Sequence, residues 1–358
     1  MKAVLYRAPG DVVVTEVPKP SPAAGEVLIR VLSNTICGTD LRIATGIKKK
    51  GVIAPRILGH EVAGEIVGIG TGVLNLKIGD TVGLSPTYSC DECIECSRER
   101  PHLCKNASVL GHQADGGLAE FLLVPARPVS HGVLVRYQGA HDPVAISLAE
   151  PLSCIIHGQK FLDIGSDDVV LVIGGGAIGL MHAKLAKANG AKLVILSEPI
   201  AFRRALAFEF GADVVVDPVN ENLDEIVRAH SDTEGAQVVV VCIGLPLLVN
   251  QALGLASNRG RVSLFAGFPA DELAKIDSNL IHYKELSVFG SSNSTIPDYE
   301  QAIRMIDSGE IDTAKLVTHR FTLEEFEKGV SMITDPNALK IAIIPNKSHK
   351  EREKNARA

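Results

Sequence analysis

The hydrophobic positions divide the chain into two parts with different spacing. Up to about Pro125, short apolar runs with a two-residue periodicity are separated by Gly and Pro, as in Val27–Leu32 and Gly117–Val124. Such runs are typical of short β-strands with one buried face. The pattern predicts an antiparallel β domain for this part of the chain.

From about Asp168 onward, the apolar residues form short continuous runs rich in Val and Ile. Runs of this kind are typical of strands that are buried on both faces of a parallel sheet. The segments between them have helical spacing, and one predicted helix, Ala177–Ala188, stops before Gly190. This alternation predicts a doubly wound parallel sheet of six strands. The six runs begin near Val169, Leu193, Val214, Val238, Val262 and Leu286.

Beyond Gly290 this alternation ends. The sequence predicts two helices, around Asp298–Asp307 and Leu323–Ile333, and a last strand at Lys340–Pro345. We expect this strand to pair with the first β domain, which makes that domain discontinuous. The predicted fold is mixed α/β. Its two predicted domains are a β domain made of residues 1–148 and 292–358, and an α/β domain made of residues 149–291.

Composition and charge disfavour several classes of protein. The chain has 358 residues with 36 basic and 42 acidic side chains, and its net charge of −6 disfavours binding to nucleic acid. No apolar run reaches the roughly 18 residues of a membrane span, and the N-terminus lacks a signal-peptide core. Seven cysteines, four of them in one short segment, indicate metal binding in a reducing compartment. We therefore expect a cytoplasmic protein that binds neither nucleic acid nor a membrane.

The turn after Val169–Ile173 has the spacing of a dinucleotide-binding motif. Gly174, Gly176 and Gly179 fit G-x-G-x-x-G between a predicted strand and a predicted helix that begins with Ala177-Ile178. The glycines permit a tight turn, a close approach of a pyrophosphate, and close packing of helix on strand. The helix N-terminus faces the phosphates. The alternative is a glycine-rich turn without a ligand, which this context disfavours.

The end of the next predicted strand favours NAD over NADP. Glu198 follows that strand, and a carboxylate at this place can accept hydrogen bonds from both ribose hydroxyls of NAD. It would also repel the 2′-phosphate of NADP. Arg203 keeps NADP open, because it could pair with that phosphate or stack on the adenine.

Four cysteines in one short segment have the spacing of a structural zinc site. Four thiolates can complete a tetrahedral shell and leave no position for a substrate. An iron–sulfur cluster is an alternative, but nothing else in the sequence indicates electron transfer. The pattern is C-x2-C-x2-C-x7-C, formed by Cys90, Cys93, Cys96 and Cys104.

A second, catalytic zinc needs about three protein ligands and an exchangeable position. Cys37 and His60 offer a thiolate and an imidazole, and Glu150 is our choice for the third ligand. Glu61 is the rival ligand, or a partner beside the metal. Spacing alone does not show that such distant residues meet. The alternative is that Cys37 is a buried packing residue and His60 a structural histidine.

With these motifs in this order, the chain resembles the zinc-containing medium-chain dehydrogenases, in the branch of the sorbitol (polyol) and threonine dehydrogenases. The resemblance runs over nearly the whole chain and includes the nucleotide motif and the four-cysteine segment. The other matching segments are Cys37–Asp40, Gly59–Gly64, Gly70–Val73, Asp115–Phe121 and Glu150–Leu152.

The resemblance implies a GroES-like β domain that carries zinc, a Rossmann domain that carries NAD, and an active site between them. It implies that Cys37 and His60 bind the catalytic zinc, with Glu150 in the place of the glutamate that the polyol branch uses. Glu61 matches a glutamate that lies beside the metal and can approach it. Thr39 matches the hydroxyl residue that hydrogen-bonds the substrate oxygen. Two zinc ions per chain and a homodimer or homotetramer are also implied.

One position departs from the family pattern. Many relatives have a histidine three residues after the hydroxyl residue, and it relays the substrate proton to solvent. This chain has Arg42 there, and a guanidinium does not titrate near neutral pH. Arg42 could bind an anionic group of the substrate or a cofactor phosphate, or could be a solvated surface residue. The neighbouring run Lys48–Lys50 could attract an anionic substrate, or could be a solvated loop.

The activity expected from this resemblance is reversible oxidation of a secondary alcohol, a polyol or sugar alcohol, with NAD. Thr39 and Glu61 are the catalytic candidates beside the metal. The alternatives are oxidation of threonine or of a phosphorylated polyol. A further alternative is a non-catalytic zinc protein on a dehydrogenase fold, which the intact cofactor and metal motifs disfavour.

Overall fold

The protein is described by a computed structural model that covers residues 1–138, 141–232, 234–269 and 271–346. Within these ranges, no helix combines the length and the apolar character that crossing a membrane requires. The strands of the described part are β1 Lys2–Ala8, β2 Asp11–Glu16, β3 Val27–Thr35, β4 Arg56–Ile57, β5 Glu61–Ile69, β6 Thr81–Leu84, β7 Thr87–Tyr88, β8 Ser108–Val109, β9 Phe121–Val124, β10 Leu134–Arg136, β11 Val169–Ile173, β12 Leu193–Ser197, β13 Val214–Val216, β14 Ala236–Val241, β15 Ala256–Leu264, β16 Ser287–Gly290, β17 Val317–Phe321 and β18 Lys340–Ile343.

The α-helices of the same residues are α1 Gly38–Ala44, α2 Ile94–Ser97, α3 Ala126–Ser130, α4 Pro143–Ser147, α5 Ala149–Lys160, α6 Ala177–Ala188, α7 Ala201–Ala207, α8 Leu223–Ala229, α9 Leu247–Leu255, α10 Ser278–Tyr283, α11 Ile296–Asp307 and α12 Phe326–Ser331. Short 3₁₀ helices lie at Pro101–Leu103, Thr313–Leu316 and Met332–Thr334. Both helices expected after Gly290 are present, and α6 has the predicted bounds.

The chain forms two compact units. The first contains Met1–Ser153 and resumes at Asn293, and the second contains Cys154–Ser292. The sequence-based boundaries were placed at 148/149 and 291/292. Residues 347–358 of the predicted β domain lie outside the described residues.

The first unit is built on a seven-stranded, mostly antiparallel sheet. Its strand order is β10-β6-β5-β3-β18-β17, and β9 also pairs with β3. Every residue of β3 is buried, so this strand lies at the centre of the core. The last strand, β18, pairs antiparallel with β3, with Ala342 opposite Thr35. The expected return of the chain end to the first β domain is therefore confirmed.

The second unit contains a six-stranded parallel sheet in the order β13-β12-β11-β14-β15-β16. The central strand β11 is buried along its whole length, as expected for a strand covered by helices on both faces. The order reverses direction at β11, between β12 and β14, and nucleotides bind beyond such a point in doubly wound sheets. The predicted α/β fold class is confirmed.

Candidate active site and metal centres

Cys37 is held at the N-terminus of α1, two residues beyond the end of β3. The backbone N–H of Cys37 donates to the carboxylate of Asp40 at 2.9 Å. The Cys37 sulfur accepts from the backbone N–H of Thr39 at 3.4 Å. These two bonds form a capping box and fix the thiol at a sharp strand-to-helix turn.

Strand pairing brings His60 to Cys37. In the antiparallel pair β3–β5, Thr35 lies opposite Glu61, so the residues just outside the two strand ends meet. Gly59 permits this approach, with φ of +94° and no room for a side chain: a Cβ there would lie 2.5 Å from Oδ1 of Asn34. Only glycine adopts this conformation here without strain.

The ligand atoms of Cys37, His60 and Glu61 all lie within 4.8 Å of one another. Oδ1 of Asp40 lies 3.2 Å from Nδ1 of His60, which leaves Nε2 to face a metal. Burial alone would lower the pKa of His60, yet the negative charges of Asp40 and Cys37 raise it well above the usual value. A group of donors this negative attracts a cation, and its sulfur, nitrogen and oxygen atoms fit zinc.

Glu61 is buried, and the ammonium group of Lys340 compensates its charge. Nζ of Lys340 lies 2.5 Å from Oε1 and 2.6 Å from Oε2 of Glu61, and the hydroxyl of Thr35 also donates to Glu61. Burial would lower the pKa of Lys340, but the Glu61 charge outweighs it and the pKa is raised. The pair is therefore ionic, and Lys340 holds the Glu61 carboxylate beside the cluster.

Glu150 lies in the first turn of α5 and is not part of the 4.8 Å set. Burial raises the pKa of its carboxyl group to about 7, the charge of His60 opposes this shift, and Glu61 adds to it. The Glu150 carboxyl is therefore within electrostatic reach of the cluster.

Thr39 and Arg42 contact each other on α1. Nη2 of Arg42 donates to Oγ1 of Thr39 at 3.1 Å. Because a guanidinium only donates hydrogen bonds, Thr39 accepts from Arg42 and keeps its own proton for another partner.

The four cysteines of the short segment meet as predicted. All four sulfurs lie within 4.8 Å of one another, and the Cys93 sulfur lies 3.5 Å from that of Cys96 and 3.7 Å from that of Cys104. Zinc–sulfur bonds of about 2.3 Å in a tetrahedron place sulfurs roughly 3.8 Å apart, so the spacing fits zinc. Backbone N–H groups of Cys96 and Lys105 lower the pKa of the Cys93 thiol to about 6, which favours the thiolate that zinc requires.

The glycine turn of the second unit has room for a phosphate. Gly174 has φ of +102°, and a Cβ on Gly179 would lie 1.8 Å from the Gly174 oxygen. A Cβ on Gly176 would meet no atom within 4 Å. The open space at Gly176, where α6 begins with Ala177 and Ile178, fits a pyrophosphate at a helix N-terminus.

Glu198 lies directly beside this turn. Its carboxylate accepts from the backbone N–H of Gly175 at 2.7 Å and from that of Ile200 at 2.9 Å. Arg203 is half-buried on α7. The next residue, Arg204, forms an ion pair with Asp217 at 3.0 Å, so its charge is already compensated.

Sequence reasoning missed four neighbours of the Cys37 cluster: Asp40, Thr35, Lys340 and His112. The rings of His112 and His60 make a T-shaped contact at 5.3 Å, and burial lowers the pKa of His112 to about 3. Asp40 could have been found from its position three residues after Cys37, which is that of a capping-box acid. Lys340 carries no local signal, because only the pairing of β18 with β3 brings it to Glu61.

Comparison with known proteins agrees with this geometry. Residues 23–132 match the family model of the alcohol dehydrogenase GroES-like domain, and residues 177–308 match that of the zinc-binding dehydrogenases. The L-threonine 3-dehydrogenase of Pyrococcus horikoshii is 34% identical over 93% of this chain and 95% of its own length. The sorbitol dehydrogenase of Halalkalibacterium halodurans is 31% identical over 96% of this chain and 99% of its own length.

Solved structures are similar over nearly the whole chain. A Sinorhizobium meliloti 1021 protein crystallised with NADP is 32% identical, with a TM-score of 0.88 over 96% of this chain and 99% of its own. An Escherichia coli CFT073 protein in complex with NADH is 29% identical, with a TM-score of 0.87 over the same shares. The galactitol-1-phosphate dehydrogenase of Escherichia coli is 27% identical, with a TM-score of 0.85 over 96% of this chain and 100% of its own.

These findings confirm the fold, the enzyme class and the two kinds of cofactor expected from the sequence, zinc and a nicotinamide dinucleotide. The chain belongs to the zinc-containing medium-chain dehydrogenases, and it is an oxidoreductase of small molecules.

Proposed function

We propose that this protein reversibly oxidises a secondary alcohol of the polyol or sugar-alcohol class to a ketone, with NAD as the hydride acceptor. In this proposal the first unit is the catalytic domain and the second unit binds the cofactor. The observation that carries it is the convergence of Cys37, His60 and Glu61 within 4.8 Å of one another, where strands β3 and β5 of the first unit meet at their ends.

We assign Cys37, His60 and Glu150 as the ligands of the catalytic zinc. Glu61, held by Lys340, is a second carboxylate that can approach the metal. When bound, zinc would polarise the carbinol oxygen, and NAD would take up the hydride. Asp40 orients the His60 ring for this role through its contact with Nδ1. Cys90, Cys93, Cys96 and Cys104 are assigned to the structural zinc.

Thr39 is assigned to the substrate oxygen. Its Oγ1 accepts from Arg42, so its own hydrogen is directed away from the guanidinium and is available to the substrate. A permanently protonated guanidinium does not accept the proton that the alcohol releases. Residue 42 therefore does not relay that proton to solvent.

For the cofactor we propose NAD rather than NADP, bound at Gly174–Gly179. The buried Glu198 carboxylate lies beside the turn and suits two ribose hydroxyls better than a phosphate dianion. Because Arg204 is paired with Asp217, its charge is not available to bind the 2′-phosphate of NADP. Arg203 remains a candidate contact for the adenosine part of the cofactor.

Oxidation of threonine is the second candidate, because the threonine dehydrogenase of Pyrococcus horikoshii matches this chain over nearly its whole length. For assembly we propose a homodimer or homotetramer that uses the edge strand β16, where Val288 is 38% exposed.

A cytoplasmic location is supported by seven cysteines without a disulfide.

The test of this function is a substrate panel combined with metal analysis. Zinc-loaded protein should contain two zinc ions per chain and form NADH from at least one polyol, and it should work less well with NADP. Cys37→Ser and Glu150→Ala should lose at least a hundredfold in turnover, and Cys37→Ser should retain only the structural zinc. Cys154→Ser is the matched control. Unchanged turnover in the folded Cys37→Ser protein would refute the assignment.

A further inference from the structure

Two cations lie near each other at the end of α1, and one of them, Arg42, contacts Thr39. Arg42 is exposed on α1, and Lys48 is half-buried in the loop that follows. The backbone N–H of Lys48 donates to the carbonyl oxygen of Arg42 at 2.8 Å, which holds the loop against the end of the helix. Burial lowers the pKa of Lys48, and the charge of Arg42 lowers it further. The two positive groups therefore repel each other at this position.

No carboxylate of the described residues lies within 4.0 Å of a charged nitrogen of Arg42 or Lys48. Other partly or fully buried cations of the first unit have such a partner, as Lys340 has in Glu61 and Arg30 has in Glu65. Two neighbouring cations without an anion are unfavourable, particularly where one is half-buried. Such an arrangement is typical of a site whose anion comes with the ligand.

The negative groups nearest to this pair serve other partners. The charges of Cys37 and Asp40 reach Lys48. The Cys37 sulfur accepts from the backbone of the turn, and the Asp40 carboxylate binds the Cys37 N–H and faces His60. Their charges oppose the lowering of the Lys48 pKa, but neither group forms an ion pair with Lys48.

The pair is also close to the reacting centre of the proposed function. Nη2 of Arg42 lies 3.1 Å from Oγ1 of Thr39, the atom assigned to the substrate oxygen. The charge of Lys48 acts on His112, whose ring contacts that of His60. Arg42 thus lies beside the Thr39 hydroxyl, and the charge of Lys48 reaches His112 beside the metal cluster. Because Arg42 contacts the Thr39 hydroxyl directly, an anionic group on a carbon near the carbinol would meet a positive charge there.

We infer that Arg42 and Lys48 bind a carboxylate or phosphate group of the substrate, so the preferred substrate is a secondary alcohol that carries an anionic group. This inference rests on the proposed alcohol oxidation and narrows its substrate class. The specificity then comes from the residue that replaces the family's relay histidine and from the lysine that follows it.

The experiment compares matched substrates that differ in the anionic group. Zinc-loaded protein is assayed for NADH formation with galactitol 1-phosphate and galactitol, and with L-threonine and L-threoninamide. We expect the charged member of at least one pair to have the higher kcat/KM. Arg42→Gln and Lys48→Gln should reduce the ratio of charged to neutral kcat/KM about ten- to a hundredfold, mainly through KM of the charged substrate. Lys50→Gln, an exposed lysine of the same run, is the matched control.

Three outcomes would overturn the inference. The first is the absence of any preference for a charged member in either pair. The second is an equal loss for both members in the Lys48→Gln protein. The third is a rise in KM for NAD with no change in substrate preference, which would assign the cations to a cofactor phosphate. Zinc content and circular dichroism of each variant establish that it is folded.

A binding measurement separates this inference from the alcohol oxidation itself. If zinc-loaded protein oxidises no alcohol of the panel, the proposed function fails, and the anion site is still tested by calorimetric titration with inorganic phosphate. Binding that weakens at least tenfold in Lys48→Gln, and is kept in Lys50→Gln, would support the anion site. Equal binding, or no binding, in all three proteins would refute it.

Discussion

The two candidate metal centres of the first unit differ in how the chain assembles them. The four-cysteine centre takes all its ligands from the segment Cys90–Cys104, and its sulfurs are the only donors needed. The cluster around Cys37 takes its groups from β3, from β18 and from the beginnings of α1 and β5, and it combines a thiol, an imidazole, carboxylates and an ammonium group. The first arrangement can saturate a metal, and the second leaves room for chemistry.

The comparison shows what each centre depends on. The four-cysteine segment has few buried apolar side chains, so we expect its metal to stabilise its fold. The Cys37 cluster is positioned by the buried sheet, so we expect the sheet and the buried ion pair to keep its shape whether or not metal is bound.

The largest effect is expected from Cys104→Ser. This change should remove the structural zinc, whose binding in comparable sites is worth about 10 kcal/mol or more, and should unfold the segment locally. Metal analysis should then find one zinc per chain, and limited proteolysis should cut between residues 90 and 104. Cys154→Ser should behave as the unmodified protein. Two retained zinc ions and a protected segment would contradict the assignment.

A smaller effect, on the other centre, is expected from Lys340→Met. The change leaves the Glu61 carboxylate buried without its cation, which costs about 3–5 kcal/mol in the free energy of unfolding. Urea denaturation measures it, and the double variant Glu61→Gln with Lys340→Met should recover part of the loss. Lys2→Met, which breaks an exposed ion pair with Glu324, should change stability far less. Equal losses in the two lysine variants would show that burial of the pair is unimportant.

The buried histidines His60 and His182 show how a neighbouring charge changes the pKa of a buried group. Asp40 raises the pKa of His60, whereas burial alone lowers the pKa of His182 in the second unit to about 3. The unfolded chain binds a proton at His182 below about pH 6.5 and the folded chain does not, so stability falls as the pH drops from about 6.5 towards 3.

The expected loss is up to about 1.4 kcal/mol per pH unit, and His182→Gln should reduce this slope in urea denaturation between pH 4.5 and 6.5. His282→Gln, which removes an exposed histidine of the same unit, should leave the slope unchanged. An unaltered slope in the His182→Gln protein would show that His182 is not the responsible group.

The smallest effect concerns the nucleotide turn, which is as local in sequence as the four-cysteine segment. Glu198→Ala should raise KM for NAD about tenfold, a change of about 1.4 kcal/mol, and should move the preference towards NADP. Initial rates with both cofactors measure it, and the exposed Glu272→Ala is the control. A cofactor preference that does not change would reject Glu198 as the ribose contact.

The sequence by itself determined the elements whose signal is local. The spacing of glycines after Val169–Ile173 and of the four cysteines predicted features that the structure contains, because each is closed by neighbours along the chain. The six apolar runs predicted the parallel sheet, since a strand that is buried on both faces, as β11 is, must be apolar at nearly every position.

Only the tertiary structure decided the composition of the Cys37 cluster. The register of β3 with β5 brings Cys37 to His60 and Glu61, and the pairing of β18 with β3 brings Lys340 to Glu61. No periodicity marks Lys340 as the partner of Glu61. A lysine in this part of the sequence is expected to be solvated unless the pairing of its strand is known. The charge of a buried group depends on which distant charges the fold puts beside it, and that information is in the strand pairing and not in the local sequence.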